Sequence, residues 1–556
     1  MLIRLTASGV LATALTGALY LPAAAENAAQ ITTSPVPRFV EEAAAAGINH
    51  VYDGPWEYFV GGGAAAFDCN GDRRSDVFLA GGAGPARLFI NKSATGGQLS
   101  FEEQELTLSE KNLNKVLGAY PLDIDNDGHT DLAVMRVGEN LLLKGGPDCQ
   151  FENANRAWSF DGGREWTTSF SAVWEKDKPF PTLAFGNYVD RSAPGSPWGT
   201  CHDNVLARSR NTENKSNEKP DYSEPQSLTP GHCTLSMMFT DWNRSGEPAL
   251  RVSNDRHYYR GGEEQLWFLP PERPARLYRR ADGWSRLKIW GMGIASHDLN
   301  ADGFPEYLLT SMGDTKLQTL DEEAEEDRPV YRDVAYEKGA TAHRPYTGEE
   351  IRPSTGWHAD FQDFNNDSLI DIYIAKGNVE AMPDFAAYDP DNLLLGNWEN
   401  GFAETGKEAG IALDRRGRGA VVADFNLDGL QDLIVVNRAA PVSVFRNQGQ
   451  KIDNAHAPIG NWLGIELKQK GSNPNAVGAR ISVRIGTRSL VKDVDIGGGH
   501  ASGTLGFEHF GLGTAERAQV RVRWPDGSWS HGYRVFTNSF VVIERDNPDA
   551  IQWHPQ

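Results

Sequence analysis

A nine-residue acidic pattern recurs along this chain and limits what it can fold into. It has Asp at positions 1 and 5, Asp or Asn at 3, mostly Gly at 6, and Asp or Glu at 9. The copies are Asp68, Asn70, Asp72 and Asp76; Asp123, Asp125, Asp127 and Asp131; Asp298, Asn300, Asp302 and Glu306; Asp363, Asn365, Asp367 and Asp371; and Asp424, Asn426, Asp428 and Asp432. A decayed copy runs from Asp241 through Asn243, Ser245 and Gly246 to Ala249. The first aspartates are separated by steps of 55, 118, 57, 65 and 61 residues, and the long step is two periods. A seventh unit is therefore expected near residue 185, where Leu183 to Asp190 keeps an apolar strand without the carboxylates.

The flanks of the pattern have the character of strands. Small apolar runs precede it, as in Gly61 to Phe67 and Gly419 to Ala423, and β-rich runs follow it, as in Leu132 to Met135 and Leu433 to Val436. A third run comes later (Arg87 to Asn91, Leu393 to Asn397), and a linker-like stretch recurs at Phe39, Tyr331 and Phe402. Units of ~60 residues with three or four short strands predict the blades of a propeller. Seven of them account for roughly residues 50 to 450 of the 556, a length no single compact domain reaches without a repeat.

The acidic loop has the chemistry of a cation site. Oxygens at positions 1, 3 and 5 converge when the chain curls, Gly at 6 permits the turn, and position 9 closes the shell. All-oxygen ligation with several carboxylates suits Ca²⁺. The start resembles an EF-hand loop, but position 12 lacks the Glu (Val134 in the second copy) and the flanks are strands. An empty loop would hold like charges a few Å apart, at a cost of roughly several kcal/mol. About five structural Ca²⁺ ions are expected. The Ser245/Ala249 copy is expected to bind weakly or not at all, and Ser368 in place of Gly to weaken the copy beginning at Asp363.

These residues resemble the FG-GAP/VCBS repeats of integrin-α-type propellers. The tail adds a second resemblance. Asn461-Trp462-Leu463, Val477 to Arg480, His509 to Gly513 and Val522 to Gly527, in that order, look like the ASPIC/UnbV domain at the C-terminus of the cartilage acidic protein-like family. The glycine-rich Gly498 to Gly503 departs from that pattern. Together the resemblances imply an all-β fold: a seven-bladed propeller over 26–455, with an insertion at about 191–232, and a small antiparallel β-domain over 456–556. Period-two alternation in Ala479 to Ile485 and Gln519 to Trp524 independently marks the tail as β.

Residues 1–25 resemble a secretory signal: Arg4, an apolar Leu5 to Leu21, and Ala23-Ala24-Ala25 for cleavage. No later stretch is apolar enough to span a bilayer. A secreted or periplasmic location follows, and with it disulfides among Cys69, Cys149, Cys201 and Cys233. Three pairings are possible. Cys201–Cys233 with Cys69–Cys149 is favoured, because the first closes the polar loop Ser209 to Pro230, worth roughly 3–4 kcal/mol in chain entropy. With 75 Asp+Glu against 54 Lys+Arg, the net charge of −21 argues against a nucleic-acid partner. Sixteen of those acids sit at ligand positions of the five good loops.

A protein or glycan binding module, with structural calcium, is the leading functional expectation. The alternative is an exported enzyme or biosynthetic accessory with its site at the channel mouth. Five residues before the first aspartates lie Gly63, Gly118, Ser236, Gly293, His358 and Gly419. Small residues suit the crowded axis, and His358 is a weak candidate base or metal ligand there. His297 is expected to support its loop. His202, Asp203, His232 and His257 form a still weaker candidate cluster, and Trp198, Trp242, Tyr258, Tyr259 and Trp267 are candidate sugar platforms or blade packing. No P-loop, Rossmann glycines, nucleophile elbow or HExxH motif occurs.

Overall fold

In the computed structural model, the apolar runs on either side of each acidic loop pair as antiparallel strands, so each loop is the turn of a hairpin. Ala64–Phe67 pairs with Asp76–Leu79, Val116–Leu122 with Asp131–Arg136, Gly291–His297 with Glu306–Ser311, Gly356–Gln362 with Asp371–Lys376, and Gly417–Ala423 with Asp432–Asn437. The structure describes residues 35–555, apart from 194–199, 212–217, 256–261, 325–326, 342–343, 347–350, 380–381, 388, 399–400, 453–454 and 458. The signal segment, Trp198, His257, Tyr258 and Tyr259 lie outside the described residues.

Among the described residues, seven sheets succeed one another along the chain, each built on four strands, with Gly503–Leu505 added to the first as a fifth. The first strands of the sheets touch in sequence, and that of the last sheet touches Ala64–Phe67 of the first, so they enclose an axis. This is a β-propeller. Its ring is closed by the N-terminal strand Phe39–Glu41, which pairs with Ser443–Asn447 as fourth strand of the last sheet. The recurring linker-like stretches are this same element. Tyr331–Asp333 and Phe402–Glu404 are fourth strands of their sheets, followed by one-turn helices Ala335–Lys338 and Gly406–Ala409.

The unit without the acidic pattern is present, but its turn begins at Trp174, about eleven residues upstream of the expected position near 185. Thr167–Val173 is its first strand and Thr182–Asn187 its second, so Leu183 belongs to the second strand. The loop is 174–181, where Lys176 and Lys178 replace acids, and Thr182 Oγ1 donates to Glu175 at 2.6 Å. Uneven blade lengths shifted the expected position. Both favoured disulfides form, Cys69–Cys149 and Cys201–Cys233. Among the described residues no helix is long and apolar enough to cross a membrane.

The tail is a two-sheet sandwich. Arg488–Asp493, Arg480–Ile485, Arg517–Arg523 and Tyr533–Phe536 form an antiparallel sheet. The other sheet is mixed, because Asn461–Lys468 runs parallel to Ser539–Glu544. Leu463, Ile465, Ile481, Val483, Val520, Val522 and Ile543 fill the space between them. Alternation places these side chains inward and their neighbours outward.

Closure through so short a strand makes Phe39 a sensitive point. It is 4% exposed and packs edge-on to Phe364 with ring centres 6.0 Å apart. Phe39→Ala is expected to lower the unfolding free energy by about 3–5 kcal/mol in chemical denaturation.

Candidate metal centres

The ninth residue of each loop is held the same way. Asp131 accepts the Ile124 N–H (2.7 Å) from the second loop position and the Gly145 N–H (2.8 Å) from the third strand. Asp76 does so with Cys69 and Asn91, Asp371 with Phe364 and Gly396, and Asp432 with Phe425 and Asn447, all at 2.8–3.1 Å. Glu306 accepts from the Leu299 N–H and, in place of a third-strand amide, the Thr319 hydroxyl. The first residue caps the loop from the other side. Asp123 accepts the amides of Asp127 and Gly128, Asp363 those of Asp367 and Ser368, and Asp424 those of Asp428 and Gly429.

Position 6 is left-handed in these loops, including Arg73 (φ 62°) and Ser368 (φ 71°), where glycine is absent. Position 4 is left-handed too, at Asn126, Ala301, Asn366 and Leu427. Non-glycine residues meet resistance there, and strain of this kind clusters at functional loops.

The result is a set of convergent acids. Oxygens of Asp123, Asp125 and Asp131 lie within 4.8 Å of one another. Cys69, Cys149 and Asp76 converge as closely, but their two sulfurs are joined to each other. Burial pushes the carboxyls of Asp76, Asp123 and Glu306 up to about 7, and those of Asp131, Asp363, Asp371, Asp424 and Asp432 well above their usual range, with neighbouring loop acids adding to the effect. Buried Asp125 Oδ1, Asp298 Oδ1 and Asn426 Oδ1 have no hydrogen-bond partner. Asn70, Asn300 and Asn365 accept the position-5 amide, and Asp72, Asp302 and Asp367 accept the position-7 amide. Two loops also meet a protein cation: Lys144 bridges Asp125 and Asp127, and Arg480 of the tail binds Asp298.

The sequence did not reveal that the tail lies over these loops. Position-4 side chains reach it directly. Asn126 Oδ1 accepts the Asn473 N–H (2.8 Å), Asn366 Oδ1 pairs with His509 Nε2 (2.6 Å), and Leu427 packs with Trp462 and Phe540. Arg73 pairs with Glu466, Arg244 with Asp493, and Arg488 donates to Ser368.

From that cover, residues 496–505 descend to the axis. Ile496, Gly497, Gly499 and Ser502 bridge to Ala172, Met238, Ile294 and Ala119 of four first strands, and Gly503–Leu505 pairs in parallel with Ala65–Phe67. The small residues of the inner strands make room for it. A Cβ on Gly63 or Gly118 would stand 1.8 or 2.0 Å from the Ala501 carbonyl oxygen. Ser236 instead donates to the Gly499 carbonyl. His500 is fully buried. Its Nε2 accepts the Gly61 N–H, so its Nδ1 carries the proton that faces the Met292 carbonyl, and its backbone N–H donates to His358 Nδ1 at 3.1 Å. Burial lowers His358 to about 3 and His500 to about 4, so both rings are neutral. His358 is thus a seat for the tail segment, on an axis the tail occupies. His297 lies beside Phe361, and burial likewise lowers it to about 3. Of the described members of the weaker cluster, His202 meets Asp190 at 3.3 Å, while Asp203 is taken up by Thr229 and the Gly231 N–H. Trp242 and Trp267 are buried blade packing.

Residues 68–134 match the family model described as FG-GAP-like repeat, and residues 469–550 match that described as ASPIC and UnbV. The chain carries both modules. Cartilage acidic protein 1 of Mus musculus is 28% identical over 247 residues, 43% of this chain and 34% of the relative. The Xenopus tropicalis protein of that name is 34% identical over 135 residues (24% and 19%), and the Homo sapiens one 37% over 117 (20% and 16%). The matches span about a third or less of these relatives' length. Among solved structures, BBS1N in complex with ARL6DN aligns over 74% of this chain and 96% of its own, with 8% identity and TM-score 0.41. An Agrocybe aegerita protein, reported for recognition of terminal N-acetylglucosamine, aligns over 62% and 79%, with 12% identity and TM-score 0.35. Both likenesses are too distant to carry function.

Gly118→Val is expected to unseat the axial segment at a cost of about 1–3 kcal/mol. Hydrogen exchange should then accelerate over 496–505 while the outer strands stay protected. The raised carboxyls give a second expectation, for protein held in chelator. Asp76, Asp123 and Glu306 keep protons in the folded state up to about pH 7, whereas unfolded they release them near 4. Their contribution is complete below pH 4 and is lost as pH rises through 7, so chelated protein should melt higher at pH 5 than at pH 8.

Proposed function

We propose that this chain is an exported β-propeller stabilised by calcium, and that it serves as a binding module for a protein or glycan. Unpaired, buried oxygens of Asp125, Asp298 and Asn426 carry the calcium reading, because a buried oxygen that has no hydrogen-bond partner and lies beside two or three other acids is one that a cation would satisfy. The donor set fits the ion: oxygens only, several of them ionisable, presented by a turn already fixed by backbone hydrogen bonds. Asp68, Asn70, Asp72 and Asp76 would hold one ion. Asp123, Asp125, Asp127 and Asp131, the Asp298, Asp363 and Asp424 sets, and their partners would hold the others. Bound calcium supplies charge neutralisation and oxygen coordination. In the second loop it must displace Lys144, and in the fifth unit it competes with Arg480, so those two sites bind more weakly than the sites beginning at Asp68, Asp363 and Asp424.

The role proposed for the ions is to hold the loop face in the form that the tail covers. The domain division follows, with the propeller over 26–455 and the tail over 456–556. Two disulfides support an exported location. An axis filled by residues 496–505 weighs against a catalytic site at the channel mouth.

Chelation with EGTA is expected to lower the melting temperature by 10 °C or more, on the order of the loss of several kcal/mol. Added Ca²⁺ should restore it, and elemental analysis of dialysed protein should find three to five calcium ions per chain. An unchanged melting temperature with no bound calcium overturns the reading.

A further inference from the structure

The outward face of the tail's antiparallel sheet departs from the charge of the whole chain. Its exposed positions carry Arg484, Gln519, Arg534, Arg521, Arg517 and Phe536. Register places Arg484, Gln519 and Arg534 side by side in one row, and Arg517 opposite Phe536. Arg521 lies over Trp529 at 4.9 Å and Arg517 over Phe536 at 5.0 Å, with those rings 49% and 63% exposed. Among the described residues, none of these four arginines takes part in an ion pair. Asp493, the acid at the edge of this face, is engaged by Arg244 and Arg480. A protein with a net charge of −21 therefore presents one flat face of four uncompensated guanidinium groups and two aromatic rings.

We propose that this face binds an anionic polysaccharide, a chain bearing sulfate or carboxylate groups. The inference rests on the binding-module reading and names its partner. Guanidinium groups match sulfate and carboxylate oxygens in paired hydrogen bonds, and exposed aromatic rings cover the apolar faces of sugars. Spacing separates this partner from nucleic acid. Arg484 and Arg534 are two strands apart, about 10 Å, and Arg517 and Arg521 are four residues apart, about 13 Å. A duplex carries a charge every 1.7 Å or so, far denser than this array. A polyanion that dense would also meet repulsion from the acidic remainder of the chain, whereas a chain whose charges are separated by sugar rings meets the arginines without crowding.

The test uses the full calcium-loaded chain and immobilised heparin and chondroitin sulfate at about 0.15 M NaCl. Wild-type protein is expected to bind and to be released by raised salt. The variant R484S/R517S/R521S/R534S should bind at least tenfold more weakly with an unchanged melting temperature. A charge-matched control, R156S/R279S/R280S/R332S, alters exposed arginines elsewhere and should bind like wild type. Absence of binding to both glycans, equal weakening in both variants, or tighter binding of a single-stranded oligonucleotide than of either glycan overturns the proposal. Calcium content is measured on the same samples. Wild-type protein that retains calcium yet binds neither glycan defeats this inference alone, and absence of calcium from the wild-type protein defeats the calcium reading independently.

Discussion

Each of the five acidic blades depends on one carboxylate that reaches in two directions. The ninth loop residue accepts a backbone amide from the turn it closes and, in four of the five acidic units, another from the third strand of its sheet. That residue is therefore buried, and burial is what makes its charge expensive. The acids at positions 1, 3 and 5 add like charge within a few Å. Five such loops cannot all be ionised, buried and uncompensated at neutral pH. A bound cation resolves this without giving up the hydrogen bonds that define the turn.

The same turn sets the outer face of the propeller. A left-handed residue at position 4 directs Asn126, Asn366 and Leu427 toward the tail, and the tail meets them with Asn473, His509 and Trp462. Arg480 and Arg244 bring positive charge to the same surface. Loop conformation, tail docking and the descent of residues 496–505 to the axis form one connected arrangement. Whatever fixes the loops also fixes the cap and the plug.

Much of this was legible in the residues. The acidic spacing identified the hairpin turns, the small residues at 63, 118 and 419 identified a crowded axis, and the cysteine positions suggested both disulfides. What escaped was relational. Nothing in local patterning says that the crowding partner is Ala501 and its neighbours, because the two segments are hundreds of residues apart. Gly498 to Gly503 stood out only as a departure from the tail's pattern. Its glycines and small residues let the backbone thread between seven inner strands, as the contacts at Gly63 and Gly118 show from the other side. The unit without the acidic pattern was misplaced for a simpler reason: its neighbours differ in length, and without acids at the ligand positions it had no marker finer than an apolar run. Lys144 was invisible because it approaches its loop from the third strand.

The most direct measurement is a crystal structure of the calcium-soaked chain with anomalous scattering data. Cations in the loops predict anomalous peaks among the side chains of positions 1, 3, 5 and 9 in the units beginning at Asp68, Asp363 and Asp424. Weaker peaks are expected at Asp123 and Asp298, and none in the turns at 174–182 and 241–249. Ordered loops with the tail docked over them and no peak in any of the five would contradict the account.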